Sequence, residues 1–110
     1  MASTRSQTLT IDSGQTVSSK AFPANDHVAF GMQMPAAFTG TVMYFQVSAD
    51  NGTTFQDLYD ATGTARVSVT VTTSRSYDLP AELTAWTHFK LVSGSAEGAG
   101  RSIVVIGKRP

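Results

Sequence analysis

Hydrophobic and polar residues alternate along several short stretches of this chain. In residues 65–72, Val67, Val69 and Val71 fall on one face, and arginine, serine and threonine fall on the other. A period of two is typical of a β-strand with one buried face. The same alternation recurs in three other stretches, with its apolar positions at Leu9 and Ile11, at Val28, Phe30, Met32 and Met34, and at Phe89 and Leu91.

Two further stretches, residues 42–47 and 103–106, are apolar on both faces, as expected of strands covered on both sides. Glycine, proline, asparagine and aspartate mark turns between all these stretches. One helical turn is predicted, at residues 80–85, where proline takes a permitted first position. We therefore predict an all-β fold: a single antiparallel β-sandwich over residues 8–108, jelly-roll-like, with about eight strands. A flexible arm is expected over residues 1–7, and a flexible loop over residues 93–100.

Composition supports this fold and narrows the function. Valine, isoleucine and threonine together number 28 of the 110 residues, and leucine only five, which favours strands over helices. The eight basic and eight acidic residues cancel, which disfavours a nucleic-acid or membrane-surface partner. Absence of cysteine excludes a disulfide framework and a thiol nucleophile. The first seven residues lack a secretion signal, so we expect synthesis in a cytoplasm.

Candidate catalytic groups do not form a recognisable pattern. His27 and His88 are predicted to be exposed on polar strand faces, and most acidic residues stand singly. No glycine-rich phosphate loop or nucleophile elbow is present. We expect no catalytic residues, no cofactor and no bound metal, and therefore a protein that is not an enzyme.

The sharpest local motif is Ser-Ala-Asp-Asn-Gly-Thr-Thr-Phe at residues 48–55. It resembles the Asp-box of sialidase propellers, although a propeller repeats that box in each blade and this chain has it once. Asp50 is expected to accept hydrogen bonds from turn amides, and Gly52 to supply a positive φ. A structural hairpin is the favoured interpretation, and a sugar- or calcium-binding role for Asp50 is the alternative.

Several side chains are candidates for a partner interface. If Phe89 and Leu91 point inward, alternation places Trp86, His88 and Lys90 together on the outer face. The alternative for Trp86 is that it closes the core beside the predicted helical turn. Phe38, in a loop, and Arg5, near the start of the chain, are the other predicted contacts.

The order of the segments resembles a known family. A strand ends in Met-Pro-Ala-Ala-Phe at residues 34–38, and residues 44–55 lead into Leu-Tyr-Asp at 58–60. Residues 89–95 and 101–105 follow late in the chain. Together they resemble the jelly-roll cement or staple proteins that decorate the capsids of short-tailed bacteriophages, over residues 28–108.

This resemblance implies a non-enzymatic protein of the virion, made in the host cytoplasm and placed on the capsid exterior. Its expected partners are the major capsid protein, whose neighbouring copies it would bridge, and a second copy of itself in a homodimer. Two alternatives remain open at this stage. One is an adaptor of the neck, tail or baseplate, and the other is a carbohydrate-binding β-sandwich, for which Trp86 with Tyr59 or Tyr77 offers the required aromatic surface.

Overall fold

A computed structural model of the protein describes residues 3–110, which form nine β-strands and one short 3-10 helix, Ala81–Ala85. None of the helical structure within these residues is long and apolar enough to cross a membrane. The strands are β1 (Thr4–Ile11), β2 (Phe22–Pro23), β3 (Ala29–Gln33), β4 (Val42–Ser48), β5 (Gln56–Asp57), β6 (Ser68–Thr70), β7 (Ser76–Asp78), β8 (His88–Ser93) and β9 (Arg101–Lys108).

The strands form two antiparallel sheets. The first sheet has the order β1-β9-β3-β7, and the second has the order β2-β8-β4-β5, with β6 also paired to β4. Because β8 pairs with Met43–Ser48 along one edge of β4, β5 and β6 lie end to end along its other edge. If β5 and β6 are counted as one strand, each sheet has four strands. The order of the strands in the two sheets is then that of a jelly roll. The predicted antiparallel β-sandwich is therefore confirmed.

The core fills the space between the two sheets with the apolar residues of the alternating strands. Leu9, Ile11, Phe45, Phe89 and Leu91 are fully buried. At its centre lie four phenylalanines, whose ring centroids are 5.2–6.4 Å apart in edge-to-face and tilted pairs: Phe22, Phe30, Phe45 and Phe89. Burial of each such side chain stabilises the fold by roughly 1.5–3 kcal/mol.

His27 is buried, and the prediction that it would be exposed is wrong. Its ring lies 5.6 Å from that of Phe22 and 5.7 Å from that of Phe30, and Nε2 has no hydrogen-bond partner. The alternation fails here because β3 begins only at Ala29, after a turn in which Asp26 has a φ of 64°. Val28, predicted to be buried, is 55% exposed for the same reason.

The start of the chain also differs from the prediction. Residues 4–7, expected to belong to a flexible arm, form the first half of β1 and pair with β9 from Lys108 to Val105. Continuous pairing with a central strand fixes this segment, whereas its polar sequence carries no apolar alternation to reveal it. The remaining part of the predicted arm includes Met1 and Ala2, which lie outside the described residues.

The glycine-rich loop before β9, predicted to be flexible, is fixed by a buried carboxylate. Glu97 is 1% exposed, and its oxygens accept hydrogen bonds from the backbone N–H of Thr39 (2.8 Å) and Gly40 (3.0 Å). They also accept from Ser93 Oγ (2.8 Å) and Arg101 Nε (3.1 Å). One side chain thus joins the β3–β4 loop to both ends of the β8–β9 loop.

Candidate functional site

The turn between β4 and β5 is organised by Asp50. Its Oδ1 accepts hydrogen bonds from Ser48 Oγ (2.7 Å) and from the Thr54 N–H (2.9 Å), and its Oδ2 accepts one from the Thr54 hydroxyl. These bonds, with that of the Thr54 side chain the largest contribution, lower the pKa of Asp50 to about 2. The carboxylate is therefore ionised throughout the physiological pH range and holds the turn closed.

Backbone conformation in this turn requires Gly52, whose φ is +88°. Its N–H donates to Ser48 Oγ at 2.9 Å, and a Cβ at this position would lie 3.5 Å from Cγ of His88. The turn is thus closed from within and covered from one side by β8. The ring of Phe55, the last residue of the motif, lies 4.5 Å from Nζ of Lys90 in a cation–π contact.

A cleft opens beside this turn. Its volume is about 460 Å³, and we call it the Tyr59–Trp86 cleft after its two aromatic residues. Tyr59 is 49% exposed, and Trp86 is half-buried with part of its surface against the core. The other lining residues are the apolar Val47, Ala49 and Leu58 and the polar Asp50, Thr54, Gln56 and Asp57.

The five residues predicted as partner contacts lie on different elements of the fold. His88 and Lys90 lie on the outer face of the second sheet, opposite the buried Phe89 and Leu91, as predicted. Trp86 does not share this face, because β8 begins only at His88 and strand alternation does not reach it. The structure instead places it against the core and in the cleft, close to the alternative considered for it.

The remaining two predicted contacts lie on two other elements of the fold. Phe38 is half-buried and packs against the core instead of standing free in its loop. Arg5 is exposed on β1, paired with Gly107 in the first sheet. Neither residue lies on β8 with His88 and Lys90.

The outer face of the first sheet carries a shallow hollow that sequence reasoning missed. Val104 and Ile106 on the central strand β9 are 37% and 40% exposed, and Ile106 lies between Ser6 of β1 and Gly31 of β3. Because Gly31 has no side chain, a hollow of about 530 Å³ opens there. We call this surface the β9 face; it consists of Ser6, Gly31, Gln33, Asp78, Val104 and Ile106.

An open sheet edge adjoins the β9 face. The Arg109 N–H donates to the Ser3 carbonyl at 2.8 Å, so odd-numbered residues of β1 bond to β9 and even-numbered ones face the other way. Thr10 agrees with this assignment, since its carbonyl accepts from the Ser19 N–H. The N–H and C=O groups of Thr4 and Ser6 therefore point away from β9, at the edge of the sheet.

No sequence signal identified the β9 face or the buried Glu97 in advance. The apolar run at residues 103–106 predicts a strand covered on both sides, yet only Ile103 and Val105 are buried. Glu97 stood out only as the single acidic residue among glycines, serines and alanines. Among residues 3–110, histidine and acidic side chains do not form a group of three or more that could hold a metal ion.

Comparison with known proteins shows which fold this chain shares. It is similar to the crystal structure of the SPBc2 prophage-derived protein YomS, with a TM-score of 0.66, 13% identity, and coverage of 98% of this chain and 95% of the other. A protein of the Bacillus endospore appendages, described as disulfide-linked pili, aligns with a TM-score of 0.48 and 13% identity, over 98% of this chain and 87% of the other. No protein-family model and no curated protein sequence matches the chain.

Proposed function

We propose that this chain is a non-enzymatic structural protein of a bacteriophage virion. The observation that carries the proposal is the likeness to a prophage-derived protein, which extends over 98% of this chain and 95% of that one. The shared unit is therefore the whole sandwich. The resemblance of residues 28–108 to capsid decoration proteins supports the same role independently.

Within the virion, we propose that the protein binds the exterior of the assembled capsid and bridges neighbouring major capsid proteins. The β9 face supports this role, because it combines an apolar centre, Val104 and Ile106, with a polar rim of Ser6, Gln33 and Asp78. A surface of that kind suits the centre of a protein interface.

Capsid stabilisation would follow from mass action. A protein that binds the assembled shell and not the free subunits shifts the equilibrium toward assembly. Because a shell repeats each junction many times, a contact of about 1,000 Å² at each one is sufficient for reinforcement. The jelly roll supplies a stiff connector, since its long loops are fixed by Glu97 and by Asp50.

We further propose that the protein acts as a homodimer joined through β1. Its edge offers the backbone groups of Thr4 and Ser6 to a second strand, and an antiparallel pair of β1 strands about a twofold axis would satisfy both copies. Such pairing would also leave the two β9 faces on one side of a continuous sheet.

The decisive experiment mixes the purified protein with capsids that lack it and images the particles by electron cryomicroscopy. Regular density at the junctions between major capsid proteins is the expected result. Density at a single vertex would replace the capsid role by that of a neck or tail adaptor. Particles without added density, at protein concentrations well above that of the lattice sites, would overturn both.

A further inference from the structure

The Tyr59–Trp86 cleft has the size and lining of a small-molecule binding site. It lies at the second sheet, whereas the β9 face lies on the first. Its volume, about 460 Å³, lies within the range of ligand pockets. Its lining combines two aromatic rings and three aliphatic side chains with a few polar groups. In ligand sites, the apolar side chains usually provide contact area and the polar groups fix the orientation of the ligand.

The aromatic side chains define the kind of ligand. Tyr59 exposes 49% of its surface although it follows the buried Leu58, and Trp86 turns only part of its surface toward the core. A pyranose ring has one face of C–H groups with slight positive charge, and the negative face of an aromatic ring attracts such groups. Two rings in one cleft therefore suit a sugar ring with an apolar face.

The polar side chains match the rim of hydroxyls around such a ring. Asp57 accepts one hydrogen bond, from Gln46 Nε2 at 3.3 Å, which leaves other lone pairs of its carboxylate for ligand hydroxyls. Gln56 is exposed in the lining and has both a donor and an acceptor. Asp50 is largely engaged by Ser48 and Thr54, so its role here is to add negative charge and rigidity.

The charges that line the cleft indicate which sugars it would favour. Two carboxylates, Asp50 and Asp57, line the cleft, and its lining contains no cationic side chain. Arg66, whose backbone pairs with that of Tyr59, and Lys90 of β8 are not among the lining residues and are stacked on the rings of Tyr44 and Phe55. An acidic sugar would meet like charge in this cleft, whereas a neutral one would not.

We propose that the Tyr59–Trp86 cleft binds a neutral saccharide. This inference does not depend on the capsid role, because the cleft belongs to the second sheet and the β9 face to the first. On a virion, the site would let the particle adhere to neutral glycans of a cell surface or its surroundings.

The test uses the full-length protein on an array of neutral oligosaccharides and their uronic-acid or sialylated counterparts, followed by calorimetric titration of the best neutral ligand. Tyr59→Ala should weaken its binding about tenfold, since it removes a stacking surface. Val28→Ala is the matched control, because Val28 is similarly exposed at 55% and lies outside the cleft. Acidic counterparts should bind about fivefold more weakly at low salt.

Two further variants keep the test decisive. Trp86→Phe retains a ring against the core, so circular dichroism should show a folded protein while affinity falls. Asp57→Asn keeps the shape and removes one charge, which should reduce the preference for neutral over acidic ligands. No binding on the array at millimolar sugar, or binding that Tyr59→Ala leaves unchanged, would overturn the proposal. Capsid occupancy of Tyr59→Ala should equal that of the wild type, which separates this proposal from the capsid role.

Discussion

Glu97 and Arg101 form an ion pair, with 3.1 Å between Oε1 and Nε, in which the carboxylate is fully buried and the guanidinium remains partly exposed. The pair spans the end of the β8–β9 loop, and the same carboxylate binds Thr39, Gly40 and Ser93. A buried charge is tolerated only where hydrogen bonds replace its hydration, and four donors do so here.

Truncation of this carboxylate should therefore destabilise the whole sandwich. We expect Glu97→Ala to lower the free energy of unfolding by about 3 kcal/mol, because it leaves the amides of Thr39 and Gly40 without an acceptor. Urea denaturation measures the change. Glu82→Ala is the control, since Glu82 is exposed in the 3-10 helix and should have little effect. An equal loss in both variants would contradict the role assigned to Glu97.

The same group should make stability depend on pH. Burial raises the pKa of Glu97, but hydrogen bonds from Thr39, Ser93, Gly40 and Arg101 outweigh burial and bring the pKa below its ordinary value of 4.5. A lowered folded-state pKa gives stability that is complete above pH 4.5 and is lost as pH falls through the folded value. Between pH 6 and about pH 3, the melting temperature should fall more steeply in the wild type than in Glu97→Gln. Parallel curves would mean that other acids cause the loss.

Close packing around His27 leads to a prediction at Gly107. A Cβ at this position would lie 2.7 Å from Cδ2 of His27 and 3.1 Å from Cε1 of Phe22. We expect Gly107→Ala to reduce stability by about 1–3 kcal/mol through overpacking. Gly100→Ala is the matched control, because a Cβ there meets nothing within 4 Å. The double variant His27→Ala/Gly107→Ala should lose less free energy of unfolding than the sum of the losses in the two single variants. Losses that simply add would argue against the contact.

The β9 face should be sensitive to a buried charge if it contacts the capsid. Ile106→Asp places a carboxylate beside the hollow at Gly31, and we expect it to reduce capsid occupancy at least tenfold while the protein stays folded. Thr70→Asp introduces the same charge on the outer face of the second sheet and should bind normally. Co-sedimentation with capsids compares the two, and equal occupancy would move the contact elsewhere on the molecule.

Dimerisation through β1 predicts different effects for proline substitutions at two neighbouring positions, one on the dimer and one on the fold. Ser6→Pro removes an N–H that points to the open edge, so the monomer should fold and the dimer should be lost. Arg5→Pro removes an N–H that bonds to β9 and should destabilise the fold itself. Light scattering and thermal unfolding distinguish these outcomes. A Ser6→Pro protein with the wild-type mass would exclude an interface at this edge.

The sequence by itself determined the class of the fold. Alternation at Val67, Val69 and Val71 and at Phe89 and Leu91 follows from the geometry of a strand with one buried face, so it is visible in adjacent residues. The turn at Asp50 and Gly52 and the 3-10 helix after Pro80 are similarly local, because each depends on contacts within a few residues. These are the features that a reader of the sequence can derive from backbone chemistry.

Tertiary structure alone decided which residues share a surface. Glu97 accepts from the amide of Thr39 across 58 positions of sequence, and Tyr59 and Trp86, which line one cleft, belong to segments separated by β6, β7 and the 3-10 helix. His27, in the turn before β3, is buried because Gly107 on β9 leaves room for its ring. Sequence periodicity indicates only which residues lie on each of the two faces of a strand. The jelly-roll order of the strands determines which faces meet, and hence where a carboxylate is buried, an edge stays open or a cleft forms.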